Sequence, residues 1–145
     1  MSESTSDPVV LPEEQCWQVL AGQKVGRLVT VVDREPQIFP INYVVEDHSL
    51  LFRTAEGNKL LTLTINDRVA FEVDGWDATG GWSVIARGHA RELQNTERED
   101  AEKLPLRPWV PTRKTHWVCI EVDEITGRQF RFGPEPQDDG WQFGG

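Results

Sequence analysis

The sequence predicts a mainly β domain, a barrel or a sandwich, carrying two or three short helices. Three observations lead there. Stretches of alternating apolar residues recur at short intervals, separated by Gly-, Asp- and Pro-bearing turns. Most gaps between them are too short for the crossover that a parallel pair needs, so pairing is antiparallel. The chain has 145 residues, 38% of them hydrophobic, which suffices for one core and leaves no room for two domains.

Residues 1–11 read as a polar tail. A helix follows from Pro12 or Glu13, with Pro12 suited to a first helical position. Cys16, Trp17, Leu20 and Ala21 give it one apolar face, and Gly22 ends it. The period then changes. Val25–Val32 reads as a strand, residues 33–37 as a turn and residues 38–45 as the next strand. Pro40 cannot donate to a ladder and marks that strand as an edge or a bulge. Residues 46–49 form a turn and residues 50–54 a strand, so three strands in close succession suggest an antiparallel meander. A second helix is expected over residues 55–67 and a strand over residues 69–74. A long strand over residues 82–93 puts Trp82, Val84 and Ala86 on one face, with Gly88 marking a bulge. Residues 95–103 form a third, charged helix. Pro105, Pro108 and Pro111 break the next stretch. Residues 116–122 are the last clear strand, and residues 126–132 extend or follow it. The tail over residues 133–145 is rich in Pro, Gly, Gln and Asp, with Trp141 and Phe143 able to dock. The folded domain is therefore expected over residues 12–132.

The formal net charge is −9. Such a charge repels polyanions and argues against nonspecific binding to nucleic acid or an anionic membrane. No apolar run approaches a membrane span of about 20 residues. The Ser-, Glu- and Asp-rich start has no basic region followed by an apolar stretch, so a cytoplasmic chain is expected. Cys16 and Cys119 form no CxxC pair and read as buried small hydrophobes. His48, His89 and His116 are scattered and match no metal spacing, and no GxSxG elbow is present.

Three clusters can carry chemistry. In LLFRTAEGNKL, Arg53 and Thr54 close a strand and Lys59 opens a helix. The arginine fork, the ammonium group and the unsatisfied N–H groups of a helix start suit a phosphate. The competing reading is surface charge beside an ordinary helix start. In FPINYVV, Pro40, Ile41, Asn42 and Tyr43 lie along a strand. Asn42 could face the polar edge of a planar heterocycle and Tyr43 could cover its face. The alternative is a core strand with one satisfied amide. In GGWSVIARGHA, Ser83 or Arg87 could meet a phosphate or ring carbonyl, while Trp82 suits a core or subunit-interface position equally. Six tryptophans are many for this length. Trp109 and Trp117 lie near Arg107, Arg113 and Lys114, a mixture suited to an interface or a stacking platform.

Residues 26–54, GRLVTVVDREPQIFPINYVVEDHSLLFRT, followed by EGNK, resemble the pyridoxamine 5'-phosphate oxidase-like, FMN-binding split-barrel superfamily, especially small members related to nitroimidazole reductases. GWSVIARGHA and, later, HWVCIEVDEITGRQF extend the resemblance over residues 12–132 through their order and spacing. The resemblance implies a six-stranded antiparallel split β-barrel and a homodimer with two cofactor sites between subunits. It implies that residues 39–44 run along the isoalloxazine ring and that Arg53, Thr54 and Lys59 hold the ribityl phosphate. Trp82 and Ser83 would lie near phosphate or ring, and Trp109 or residues 116–117 would come from the partner subunit. The C-terminal basic motif of the true pyridoxamine oxidases has no counterpart after Gly133, so that activity is not expected. The implied function is an FMN-dependent oxidoreductase that moves hydride to or from a small planar substrate, with NAD(P)H as a possible donor. Coenzyme F420 in place of FMN, a non-enzymatic flavin carrier and a purely structural barrel are the alternatives. No catalytic acid or base stands out.

Overall fold

The computed structural model describes residues 8–106 and 116–133. In chain order the elements are β1 (Val9–Val10), α1 (Glu13–Ala21), β2 (Val25–Val32), β3 (Glu35–Asn42), β4 (Val44–Glu46) and β5 (Ser49–Thr54). They continue with α2 (Asn58–Ile65), β6 (Arg68–Trp76), β7 (Gly80–Glu92), α3 (Asn95–Ala101) and β8 (His116–Arg131). Six strands are long. The two-residue β1 and the three-residue β4 bring the sheet to eight. Its order is β3-β2-β6-β7-β8-β5-β4, with β1 added on β8. Every pairing is antiparallel, and the sheet curls into a split half-barrel. The predicted fold class holds.

The expected meander does not form. β2 and β3 make one hairpin at one end of the sheet order, and β4 and β5 make another at the opposite end. The expected strand over residues 38–45 is broken at Tyr43, and the physical reason is local. Tyr43 sends its ring into the core, where its hydroxyl donates to the Leu20 carbonyl, and its backbone N–H donates to Lys24 O at 3.2 Å. That bond is the last on the β2–β3 register, in which Val25 lies opposite Asn42, because β2 itself begins at Val25, and Val44 goes on to pair with Leu51 of β5. Pro40 does sit on an edge strand, opposite Arg27.

Both hairpins turn on two residues with positive φ: Asp33 (51°) and Arg34 (65°), then Asp47 (47°) and His48 (61°). Two positive φ values in a two-residue loop match the right-handed twist of the flanking strands. The first turn is therefore shorter than the expected residues 33–37, and β3 takes up Glu35 and Pro36. α1 begins at Glu13, with Pro12 one position before it at ψ 152°. α2 starts at Asn58 rather than Ala55, because Gly57 has φ 153°, a value only glycine adopts readily. Val9 and Val10 pair with Gln129 and Arg128, and Leu11 is buried, so the sheet takes in part of the expected N-terminal tail. Residues 107–115, Trp141 and Phe143 lie outside the described residues.

Alternation builds two cores. Leu28, Leu50, Phe52, Phe71, Val73, Val84, Ala86, Val118 and Ile120 fill the inside of the curl, and Cys16, Trp17 and Leu20 of α1 join them. Leu51, Leu93, Ala101, Trp117 and Cys119 form a smaller cluster with α3 on the other face. β5 and β8 are thus buried on both sides. Both cysteines are free and buried, as their sequence context predicts. Among the described residues no helix is long and apolar enough to cross a membrane.

β7 and β8 shift register between Arg87 and Gly88, the predicted bulge. A Cβ on Gly88 would stand 1.9 Å from the Glu121 carbonyl oxygen and 2.9 Å from Val122 Cα. Backbone cannot yield as a side chain would, so Gly88→Ala should cost about 2 kcal/mol or more in urea unfolding. An unchanged midpoint would show that β8 can move there. Tyr43→Phe removes one donor from the Leu20 carbonyl and should cost about 1 kcal/mol by the same measurement.

Candidate functional site

The end of β5 carries the first group of predicted site residues. Adjacent strand residues point to opposite faces, so Arg53 and Thr54 part company. Thr54 is buried, and its hydroxyl donates to Ala55 O at 3.1 Å. Arg53 lies opposite Trp117 in the β5–β8 ladder and places its guanidinium over that ring, 5.4 Å from the centroid. Trp117 is 1% exposed, and its Nε1 donates to Glu102 Oε1 at 3.0 Å. The other oxygen of that carboxylate lies 4.0 Å from Arg53 Nη2. Beside Thr54, His116 sets Nδ1 2.7 Å from Glu92 Oε2 and Nε2 3.5 Å from Glu56 Oε1.

The contrast with other arginines is informative. Arg27 reaches Glu72 at 2.6 Å and Asp74 at 2.7 Å, Arg68 reaches Asp123 at 3.1 Å, and Arg87 reaches Glu124 at 3.3 Å. Arg91 holds both oxygens of Glu97, at 2.9 and 2.8 Å, and also bonds Glu121. The Glu97 fork raises the Arg91 pKa, and Arg91 in turn lowers that of Glu97. The Glu102 carboxylate stands 4.0 Å from Arg53 Nη2, and the guanidinium also lies over the Trp117 ring.

The α2 start supplies the second group. Among the described residues no side chain caps it, and its first turn holds no acid. Its leading N–H groups therefore present the positive end of the helix dipole. Lys59 stands in that turn with Nζ 5.5 Å from the centre of the Phe39 ring on β3. α2 thus bridges from the β5 end to the β3 edge. The Arg53 guanidinium, the Lys59 ammonium and the α2 start are each of a kind that suits a phosphate.

The β3 residues divide. Pro40 is exposed, Ile41 is buried, and Asn42 Nδ2 donates to Lys24 O at 3.5 Å. The Tyr43 ring meets Phe71 edge-on at 4.7 Å, 4% exposed, and burial raises its hydroxyl pKa. Facing the core, that ring does not cover a ligand bound outside the barrel. The outer edge of β3 pairs with no strand among the described residues and offers backbone N–H and C=O groups.

Trp82 and Ser83 pair with Gln129 and Arg128, while Arg53 and Thr54 pair with Trp117 and His116, twelve positions away along β8. The chain does not bring the two pairs together. Trp82 packs against the core and lies on Gly75, where a Cβ would stand 2.6 Å from its ring. Trp109 lies outside the described residues. His48 stacks on Trp17 at 4.7 Å, and His89 lies between Asp67 and Asp123 on the surface. Among the described residues no group of His, Cys, Asp and Glu could hold a metal ion.

A cleft of about 270 Å³ lies between α2 and the ends of β7 and β8, lined in part by Leu60, Thr64, Glu92 and Val118. A second, of about 370 Å³, lies beside α3 with Glu46, Asp47, Glu97 and Asp100 on its walls, which suits no anion. Sequence reasoning missed Glu102 and Glu92. Both sit in charged stretches whose local pattern shows only solvated surface, and only the packing of α3 and the pairing of β7 with β8 place them by Arg53 and His116.

Comparison with known proteins agrees with this architecture. A solved structure of a FAD binding protein from Mycobacterium smegmatis is 44% identical, covers 85% of this chain and 98% of its own, and superposes with a TM-score of 0.73. A Corynebacterium glutamicum protein, provisionally described as a pyridoxamine 5'-phosphate oxidase, is 36% identical with a TM-score of 0.82, covering 92% of this chain and all of that one. An uncharacterized Mycobacterium tuberculosis protein is 46% identical over 94 residues, 64% of this chain and 86% of its own. Residues 12–129 match the family described as pyridoxamine 5'-phosphate oxidase. With the match spanning nearly the whole barrel, the chain belongs to the pyridoxamine 5'-phosphate oxidase family.

Proposed function

We propose that this chain binds a flavin nucleotide and works as an oxidoreductase on a small planar substrate. The observation that carries the reading is the 44% identity, across 98% of its length, to a protein described as FAD binding. The donor set at Arg53, Lys59 and the α2 start supports it chemically. FMN and FAD share the ribityl phosphate, so the same cations would hold either. FMN is the form that the sequence resemblance favours, FAD is the form described for the relative, and F420 is the third candidate.

A flavin held here would supply the hydride and one-electron chemistry. The residues of the chain have simpler tasks. Arg53 gives a two-pronged contact to phosphate oxygens, and Lys59 adds a compact charge. The open β3 edge beside Pro40 and Ile41 offers backbone groups to the polar rim of a heterocycle. Trp82, Ser83 and Trp109 fit this scheme as contributions of a second subunit, since Trp82 and Ser83 pair far along β8 from Arg53. A homodimer is part of the proposal. Val31 of β2, Ile38 of β3, and Leu61 and Ile65 of α2 leave apolar side chains exposed on neighbouring elements, with Ile38 at 64%. Burying such surface favours association.

The test is to purify the chain, record its absorbance and titrate the apo form with FMN, FAD and F420. A two-band spectrum with micromolar or tighter binding supports the reading, and binding none of the three rejects it. Turnover with NAD(P)H and a planar acceptor then separates an oxidoreductase from a carrier. Arg53→Ala should weaken flavin binding about 10- to 100-fold, from the loss of charge-assisted hydrogen bonds, while its melting temperature stays close to that of the parent. Equal affinity in the variant would remove Arg53 from the site. Sedimentation should give a dimer when flavin is bound, and a loaded monomer would contradict the shared site.

A further inference from the structure

Among the described residues the sheet ends on two strands, β3 with eight residues and β4 with three. A long end strand is a template for a further strand, most of all with an apolar run such as Ile38, Phe39 and Ile41. The β2–β3 register decides which groups the outer edge of β3 presents. Tyr43 N–H donates to Lys24 O at 3.2 Å, one step beyond the pair Val25–Asn42. In an antiparallel strand the N–H and C=O of one residue point to the same side, and the side alternates along the chain. Glu35, Gln37, Phe39 and Ile41 therefore address β2, and Pro36, Ile38 and Pro40 face away from it. These three are exposed, Ile38 at 64%. Their outward row holds three carbonyls but a single N–H, that of Ile38.

We propose that Pro36 and Pro40 bar the outer edge of β3 to a further strand, and so prevent a second copy of this chain from extending the sheet. An incoming strand pairs through the N–H and C=O groups of every second residue. Opposite Pro36 and Pro40 it would bury two carbonyls with no donor to meet them, and a pyrrolidine ring would stand where each hydrogen is needed. The native ladder loses nothing by this, because the proline nitrogens face away from β2. β4, three residues long, needs no such barrier. Two copies of the chain are left to meet through side-chain faces rather than edge to edge. The barrier acts whether or not a flavin is bound.

The test is the double variant Pro36→Thr/Pro40→Thr, which restores both N–H groups on a strand-favouring residue without adding apolar surface. By sedimentation the apo variant should form larger assemblies than the parent chain at equal concentration. Amide exchange at position 38 should slow about tenfold or more relative to the parent. Adding Ile38→Lys to the double variant should disperse the assemblies, since a charge on an edge opposes pairing. Equal size and equal exchange in parent and variant overturn the proposal. Larger assemblies without slower exchange at position 38 place the contact elsewhere and overturn it as well. Should the double variant fail to fold, Pro36→Thr and Pro40→Thr are measured singly, each restoring one donor, and the same two readouts decide. FMN separates this barrier from the flavin reading, which sets the heterocycle on the same edge. Association of the apo variant that FMN reverses supports the barrier and that placement together. Association that persists with FMN bound supports the barrier and moves the ring off this edge. Flavin binding without any association of the variant overturns the barrier and leaves the flavin reading standing.

Discussion

Strand β8 pairs with β7 along one edge and with β5 along the other, and its alternate residues enter two different cores. Val118 and Ile120 face the inside of the barrel while Trp117 and Cys119 face α3. Much else depends on this two-sided burial. It fixes the register of β5, because a slip by one residue would exchange the two cores. It also decides that Arg53 points to the α3 face and Thr54 to the interior. The bulge at Gly88 belongs to the same constraint. The two longest strands stay paired past it only because a residue without a side chain lets the backbones approach.

The acidic composition gives the cations their meaning. With more carboxylates than bases, most strand arginines sit in close ion pairs on the outer surface. Such exposed pairs contribute little stability but do occupy the guanidinium. Arg53 lies over the Trp117 ring, with a Glu102 oxygen 4.0 Å from its Nη2. Lys59 likewise rests near an aromatic face at an uncapped helix start. The field within a few ångströms of a cation depends on its neighbours more than on the net charge of the molecule.

Tyr43 links fold and site in another way. Its buried ring stands where the chain leaves β3, paired with β2, and enters β4, paired with β5. The position that the sequence offers as a ring-stacking residue is a core residue at the junction of the two hairpins.

The sequence by itself determined the β class, the edge character of Pro40, the Gly88 bulge, the ends of α1 and the type of residues able to hold a phosphate. All are local: period-two alternation, a missing N–H, a missing Cβ, and the charge of Arg53 and Lys59. Tertiary structure alone decided that the two hairpins sit at opposite ends of the sheet, that Tyr43 is core, that Trp82 and Arg53 pair with distant positions of β8, and that Glu102 faces Arg53. These depend on which strands pair and in what register. Pairing is settled by the sum of many buried contacts across the whole chain, so no window of sequence contains it.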